Sequence, residues 1–273
     1  MQTLAAARCA NVRVKMLDRD RLDRVWRFSG SYRTIMNGWY MYDPAAWPPS
    51  PRIDPLFISF HLSNRVGRRS KEKLRAREHL LFGENLEYFR RHSQIRGIGV
   101  RDYSTLRAFN DAGIDAYFSG CLTLTLTPRN LGIRSETIIA VDLDPEAIER
   151  LRQRSAVPVS ELTHTIPRRM SVKSRMRRLN ELLGIYETAA VVVTSRLHVA
   201  LPCVALGTPV LFIHKNLDDP RFGGLIDHVH SASRANFLSA RYDYDLNMPP
   251  RNFEGWKPMA NDLKRRVEAF VSE

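Results

Sequence analysis

Along this chain, short apolar runs alternate with stretches whose apolar residues recur every three to four positions. That is the strand-then-helix pattern from which parallel sheets are built. The runs predict strands over Leu56–Phe60, Ile95–Val100, Ala116–Ser119, Thr137–Val141, Ala189–Thr194 and Pro209–Ile213. Helical spacing predicts helices over Gln2–Ala10, Lys71–Arg91, Ser104–Ala112, Pro145–Arg154, Ser171–Tyr186, Arg196–Leu206 and Gly255–Val271. The proline-rich Asp43–Pro55 reads as a surface connection, because proline cannot donate to a sheet ladder. Pro128, Asn130 and Gly132 interrupt the pattern after the alternating run Cys121–Thr127, so a boundary is expected within Pro128–Ser135. The expected fold class is α/β with two Rossmann-like lobes, residues 1–133 and 134–273, and a last helix that packs against one lobe.

Composition adds limits to this picture. The 273 residues are 44% hydrophobic and 26% charged, which suits a folded chain with a sizeable core. Cys9, Cys121 and Cys203 lie far apart, so neither a disulfide framework nor a metal site is expected. They read as small buried hydrophobes in a reducing compartment. The start, Met1-Gln2-Thr3-Leu4, shows no signal-peptide pattern, and Val199–Ile213 is broken by Pro202, Gly207 and Pro209, too interrupted to cross a bilayer. A soluble, cytoplasmic protein is expected.

The formal net charge of +13 comes mostly from arginine and admits three partners: nucleic acid, an anionic membrane surface, or a phosphorylated small molecule. The densest clusters are Arg65–Arg77 and Arg168–Arg178. In the second, Met176, Leu179, Leu183 and Tyr186 recur at helical spacing, which assigns much of the arginine to a solvated face. No aromatic residues interleave with the charge and no RNA-binding motif is present, so no nucleic-acid partner is expected.

Ligands of open parallel sheets collect beyond the carboxyl ends of the strands. Two strand ends carry an arginine where a helix begins: Arg101-Asp102 after Gly97–Val100, and Ser195-Arg196-Leu197-His198 after Ala190–Val193. At the second, Thr194 or Ser195 is expected to cap the helix, with Arg196, Leu197 and His198 in its first turn. A cation there costs about 0.3–1 kcal/mol against the helix dipole. A bound anion reverses the sign and gains about 1.5–3 kcal/mol from a well-formed pair with arginine. Pro202 removes a backbone bond to the His198 carbonyl, so a kink that frees His198 from regular geometry is expected. Taken singly, each residue also has an ordinary reading: a solvated arginine, a satisfied histidine, and Asp102 as a helix N-cap.

Taken together, Val193-Thr194-Ser195-Arg196-Leu197-His198, Pro202 and Ala205-Leu206-Gly207-Thr208-Pro209-Val210 resemble the signature of the polysaccharide pyruvyl transferase family. Arg101-Asp102 with Ser119-Gly120-Cys121-Leu122-Thr123 fits the same family, as do Asn37-Gly38-Trp39 and Phe57-Ile58-Ser59-Phe60-His61. The similarity runs from near residue 1 to about residue 230. It implies a two-domain fold similar to the glycosyltransferase-B architecture. The implied activity is transfer of a pyruvyl group from phosphoenolpyruvate to two hydroxyls of a sugar, giving a cyclic ketal.

By this resemblance Ser195, Arg196, Leu197, His198 and Arg101 bind the donor, with Arg101 contributed by the other lobe. Arg196 and His198 are the expected catalytic pair, the histidine serving as the acid that protonates the enol carbon or, alternatively, binding the anion alone. Asp102 and His61 are weaker candidates for the base that takes the hydroxyl proton. No metal or redox cofactor is implied. The expected partners are phosphoenolpyruvate and a sugar or lipid-linked oligosaccharide of an exopolysaccharide or surface glycan. Peripheral contact with anionic membrane at its inner face is a further expectation, and the oligomeric state stays open.

Family members commonly open with a strand and a Gly-Asp-bearing turn before the helix that corresponds to Gln2–Ala10, whereas this sequence opens at that helix. The expectation is sheet surface left unpaired, in a chain that is truncated, has a misplaced start, or is a decayed relative. Two other readings therefore stay open: a nucleotide-sugar glycosyltransferase of the same architecture, and an inactive anion-binding relative.

Overall fold

The computed structural model describes residues 1–25, 30–39, 44–64, 75–129, 134–167 and 169–273. Most of the expected arginine cluster Arg65–Arg77, together with Arg168 and the middle of the expected boundary, lies outside them. The chain divides into two compact units. Gln2 and Ala6–Leu122 join Met259–Glu273 in the first, the N-terminal unit, and Thr123–Pro258 with Met1 and Thr3–Ala5 forms the second, the C-terminal unit. The division falls at Thr123, ahead of the expected boundary in Pro128–Ser135. It also groups Met259–Glu273, most of the last helix, with the N-terminal unit, where the expected limits were 1–133 and 134–273.

The N-terminal unit holds a four-stranded parallel sheet in the order β1 (Tyr32–Trp39), β2 (Ile53–His61), β3 (Ile98–Val100), β4 (Ala116–Phe118). β2 is buried almost throughout, as a strand covered on both faces must be, which explains its near-continuous apolar run. The inner strands β2 and β3 are each paired on both sides. Helix α1 (Gln2–Ala10) matches the sequence pattern. Phe57, Phe60, Trp47, Phe89 and Phe109 form an aromatic core, with Trp47 stacked on Phe89 at 5.2 Å between ring centres.

The expected helix over Lys71–Arg91 is, among the described residues, two helices: α2 (Ala76–Leu80) and α3 (Gly83–Arg96). Gly83 adopts φ 55°, a conformation that ends one helix and starts the next and that glycine adopts at no steric cost. Helix α4 (Tyr103–Asp111) follows β3.

The C-terminal unit holds a five-stranded parallel sheet in the order β6 (Val159–Leu162), β5 (Ile138–Val141), β7 (Val191–Thr194), β8 (Val210–His214), β9 (His230–Ser233). Helix α5 (Pro145–Arg154) starts with Asp144 as N-cap and proline in its first turn. Helices α6 (Val172–Thr188), α7 (Leu197–Ala205) and α8 (Arg234–Leu238) complete the unit. The chain winds outward from β5 in one direction to β6 and in the other to β7, β8 and β9. The switch in winding lies between the carboxyl ends of β5 and β7, which is where open α/β sheets bind ligands.

The last helix, α9 (Lys257–Ser272), packs on the N-terminal unit. Arg266 lies 4.1 Å from the Tyr117 ring centre, and Arg96 lies 5.0 Å from that of Phe270. Among the described residues no helix is long and apolar enough to cross a membrane.

Candidate functional site

The switch point of the C-terminal sheet is built from three strand ends. After β5 the chain turns at Asp142, which has φ 51°, a left-handed conformation that aspartate tolerates better than most residues. After β7, Thr194 accepts a hydrogen bond on its hydroxyl from the Arg196 N–H at 3.1 Å and donates to the Val141 carbonyl at 3.1 Å. Ser195 donates to the Asp142 carbonyl at 2.6 Å. The two strand ends are thus locked together, and Arg196 emerges between them as the N-cap of α7. Its Nε donates to Asp142 Oδ2, and its Nη2 donates to Thr165 Oγ1 at 3.2 Å.

Several expectations for this turn are corrected. Neither Thr194 nor Ser195 caps α7; Arg196 holds that position without a side-chain cap, because both hydroxyls are engaged across to β5. The helix runs through Pro202 from Leu197 to Ala205, so His198 sits in regular helical geometry rather than being freed by a kink. Leu197 is 6% exposed, so its side chain belongs to the core and only its backbone faces the helix N-terminus. Arg196 is exposed, and Ser195 and His198 are half-buried.

Sequence reasoning missed Asp142, His164 and Thr165. The Asp142 carboxylate accepts from Thr163 Oγ1 at 2.7 Å and from the His164 N–H at 3.1 Å. His164 Nδ1 lies 2.9 Å from the Tyr186 hydroxyl. The acid at the end of Ile138–Val141 was a visible signal, but its left-handed turn and its pairing with Arg196 depend on the sheet. Beside these residues lies a cleft of about 290 Å³ bordered by Asp142, Glu161, Leu162 and Thr163. A larger one, about 360 Å³, is lined by Arg154 and Tyr242–Asn247 and contains none of the candidate residues.

Burial above all, with the nearby charge of Arg196, pushes His164 down to about 4, so its imidazole is neutral at physiological pH. The unfolded imidazole titrates at about 6.5, so between these values the unfolded chain binds more protons. The stability that neutral His164 contributes is present above about pH 6.5 and is lost as pH falls towards 4. Urea titrations of the C-terminal unit between pH 7 and 4.5 are expected to show this loss, and His164→Gln should flatten it. An identical slope in the variant would contradict the assignment.

The N-terminal unit carries a second polar cluster at the carboxyl ends of its strands. Asp102 is the N-cap of α4, its carboxylate accepting from the Thr105 N–H at 2.9 Å and from the Thr105 hydroxyl at 3.0 Å. The ordinary reading of Asp102 as a cap is correct, but it is not the whole of its role. Its Oδ2 lies 2.5 Å from His61 Nδ1, with side chains 0% and 4% exposed. The two weaker candidates are therefore direct partners, although 41 residues separate them.

Burial alone would raise the Asp102 pKa. The bond to and charge of His61, with Arg101 and the Thr105 N–H, outweigh it and hold the carboxyl below the usual carboxylate value. Arg101 is 6% exposed, and its N–H donates to the Phe60 carbonyl at 2.8 Å. Beside it Ser59, at φ 53°, accepts from the Leu122 N–H and donates its own N–H to Ser119 Oγ at 3.0 Å.

Cys121 and Cys203 are buried and Cys9 is half-buried, none of them in a disulfide; burial pushes the Cys203 thiol far up and leaves it inert. Among the described residues no group of three or more His, Cys, Asp or Glu side chains is placed to hold a metal ion.

None of the curated proteins compared with the chain matches it significantly. The family model for polysaccharide pyruvyl transferases matches residues 84–214. The stretch includes Arg101, Asp102 and the Thr194–His198 turn, and it excludes His61 and Asn37-Gly38-Trp39, so it is narrower than the similarity read from the sequence. Over residues 84–214, just under half of its length, the chain is similar to the polysaccharide pyruvyl transferase family.

Proposed function

We propose that this protein transfers a pyruvyl group from phosphoenolpyruvate to two hydroxyls of a glycan sugar. The observation that carries the reading is the Ser195–His198 turn. It lies inside the family match, at the switch point of the C-terminal sheet, with Arg196 at the N-cap position of a helix and His198 in the helix's first turn. Backbone N–H groups and the partial positive charge of a helix N-terminus favour an anion, and arginine adds a forked donor.

The reaction assigns each group a task. The enol carbon of phosphoenolpyruvate gains a proton, and positive charge develops on the adjacent carbon. One sugar hydroxyl adds there, phosphate leaves, and the second hydroxyl closes the ketal. Of the two hydroxyl protons released, one balances the proton that made the methyl group and the other leaves with phosphate. His198 is the acid towards the enol carbon, and Arg196 stabilises the departing phosphate. The reaction as written needs no metal or redox cofactor. A chain of net charge +13 also suits a phosphate-bearing, lipid-linked acceptor at an anionic membrane surface.

The test is incubation of the full chain with phosphoenolpyruvate and a panel of sugars and lipid-linked oligosaccharides. Acceptor-dependent phosphate release, with a product heavier by pyruvate less water, is expected. Turnover of nucleotide sugars without consumption of phosphoenolpyruvate would overturn the reading in favour of a glycosyltransferase.

A further inference from the structure

The Arg196 side chain is 47% exposed, and a side chain of that length in water samples many rotamers. Two contacts restrict it here. Nε–H is given to Asp142, and one hydrogen of Nη2 is given to Thr165. A guanidinium has five N–H donors. Three remain: both on Nη1 and one on Nη2.

Asp142 is itself held from several sides. Its carboxylate receives Thr163 Oγ1 and the His164 N–H, its carbonyl receives Ser195 Oγ, and its own N–H donates to Leu162 at 3.1 Å. The carboxylate is 14% exposed, in a left-handed backbone conformation at the end of β5. An over-determined, sparsely populated backbone conformation at a strand end is a recurrent mark of functional sites.

We propose that Asp142 is the positioning residue of the anion site. It occupies the Nε side of Arg196, so that a phosphate or carboxylate is taken through Nη1 and the remaining Nη2 hydrogen. This inference rests on the anion-site reading of Arg196. Thr165 supports the same orientation from the loop after β6, so all three strand ends at the switch point serve one guanidinium. Repulsion between Asp142 and the incoming anion acts in the opposite sense. It is screened where the guanidinium reaches solvent, and the ordering of Arg196 outweighs it.

The experiment is calorimetric titration of the full chain with phosphoenolpyruvate and, separately, with inorganic phosphate. It compares the parent with Asp142→Asn, Asp142→Glu and Thr165→Val. Asp142→Asn is expected to weaken both ligands about tenfold, with Asp142→Glu recovering most of the loss. In nitrogen-edited spectra the Arg196 Nε–H should be protected from exchange in the parent and lose that protection in Asp142→Asn, which a purely structural role for Asp142 would not require.

Unchanged or tighter binding in a folded Asp142→Asn variant would overturn the proposal and leave the anion site standing. Should that variant fail to fold, Thr165→Val carries the test, with about threefold weaker binding expected and parental affinity contradicting it. A folded parent that binds neither ligand would overturn the anion-site reading, and this proposal with it.

Discussion

Asp102→Ala is expected to destabilise the N-terminal unit by about 3 kcal/mol or more, the usual cost of breaking a buried charge pair by removing one partner. The carboxylate is fully buried against His61 and also caps α4, so the substitution removes the partner of a buried histidine, the neighbour of buried Arg101 and a helix cap. The cap alone is worth about 1 kcal/mol. Asn keeps the cap and loses the charge, so Asp102→Asn should fall between Ala and the parent. Urea unfolding followed by circular dichroism checks the order. A loss below about 1 kcal/mol for Ala would show that the pair contributes nothing to the fold. Because the Asp102 carboxyl is held below its ordinary value, the stability it contributes is present above about pH 4 and is lost as pH falls further.

His198→Gln is expected to cut turnover by a factor of about 10² to 10⁴, the range in which a positioned proton donor contributes to catalysis. Glutamine retains hydrogen-bonding capacity at the first turn of α7 but supplies no proton to the enol carbon. Phosphoenolpyruvate affinity should therefore change far less than the turnover number. A parallel loss of affinity and turnover would assign His198 to anion binding alone. The half-buried position of the residue makes the substitution tolerable for the fold. A collapse of stability would therefore contradict the placement.

The interior strands were legible because strands buried on both faces must be continuously apolar: Ala190–Val193 and Leu56–Phe60 could hardly be anything else. Three of the four edge strands escaped. β1 contains Asn37 and Gly38, β6 exposes the adjacent Ser160 and Glu161 between two half-buried residues, and β9 reads His-Ser-Ala-Ser. An edge strand buries too little to impose a pattern.

The SRLH turn was legible because its residues lie together in the chain. What organises it was not, since Asp142 reaches Arg196 across 54 residues and His164 follows a strand that the pattern did not predict. His61 and Asp102 were each visible, but their bond required the register that sets β2 beside β3. The capping of α7 was misassigned because Thr194 and Ser195 spend their hydroxyls on β5, a tertiary demand that overrides local capping preference.

The central claim is that Arg196 binds the phosphorylated donor, and calorimetric titration of phosphoenolpyruvate into the full chain tests it most directly. The parent should bind, inorganic phosphate should compete, and Arg196→Ala should lose most of the affinity while keeping the parent's thermal transition. Binding that survives intact in Arg196→Ala, or a folded parent that takes up no phosphoenolpyruvate, would contradict it.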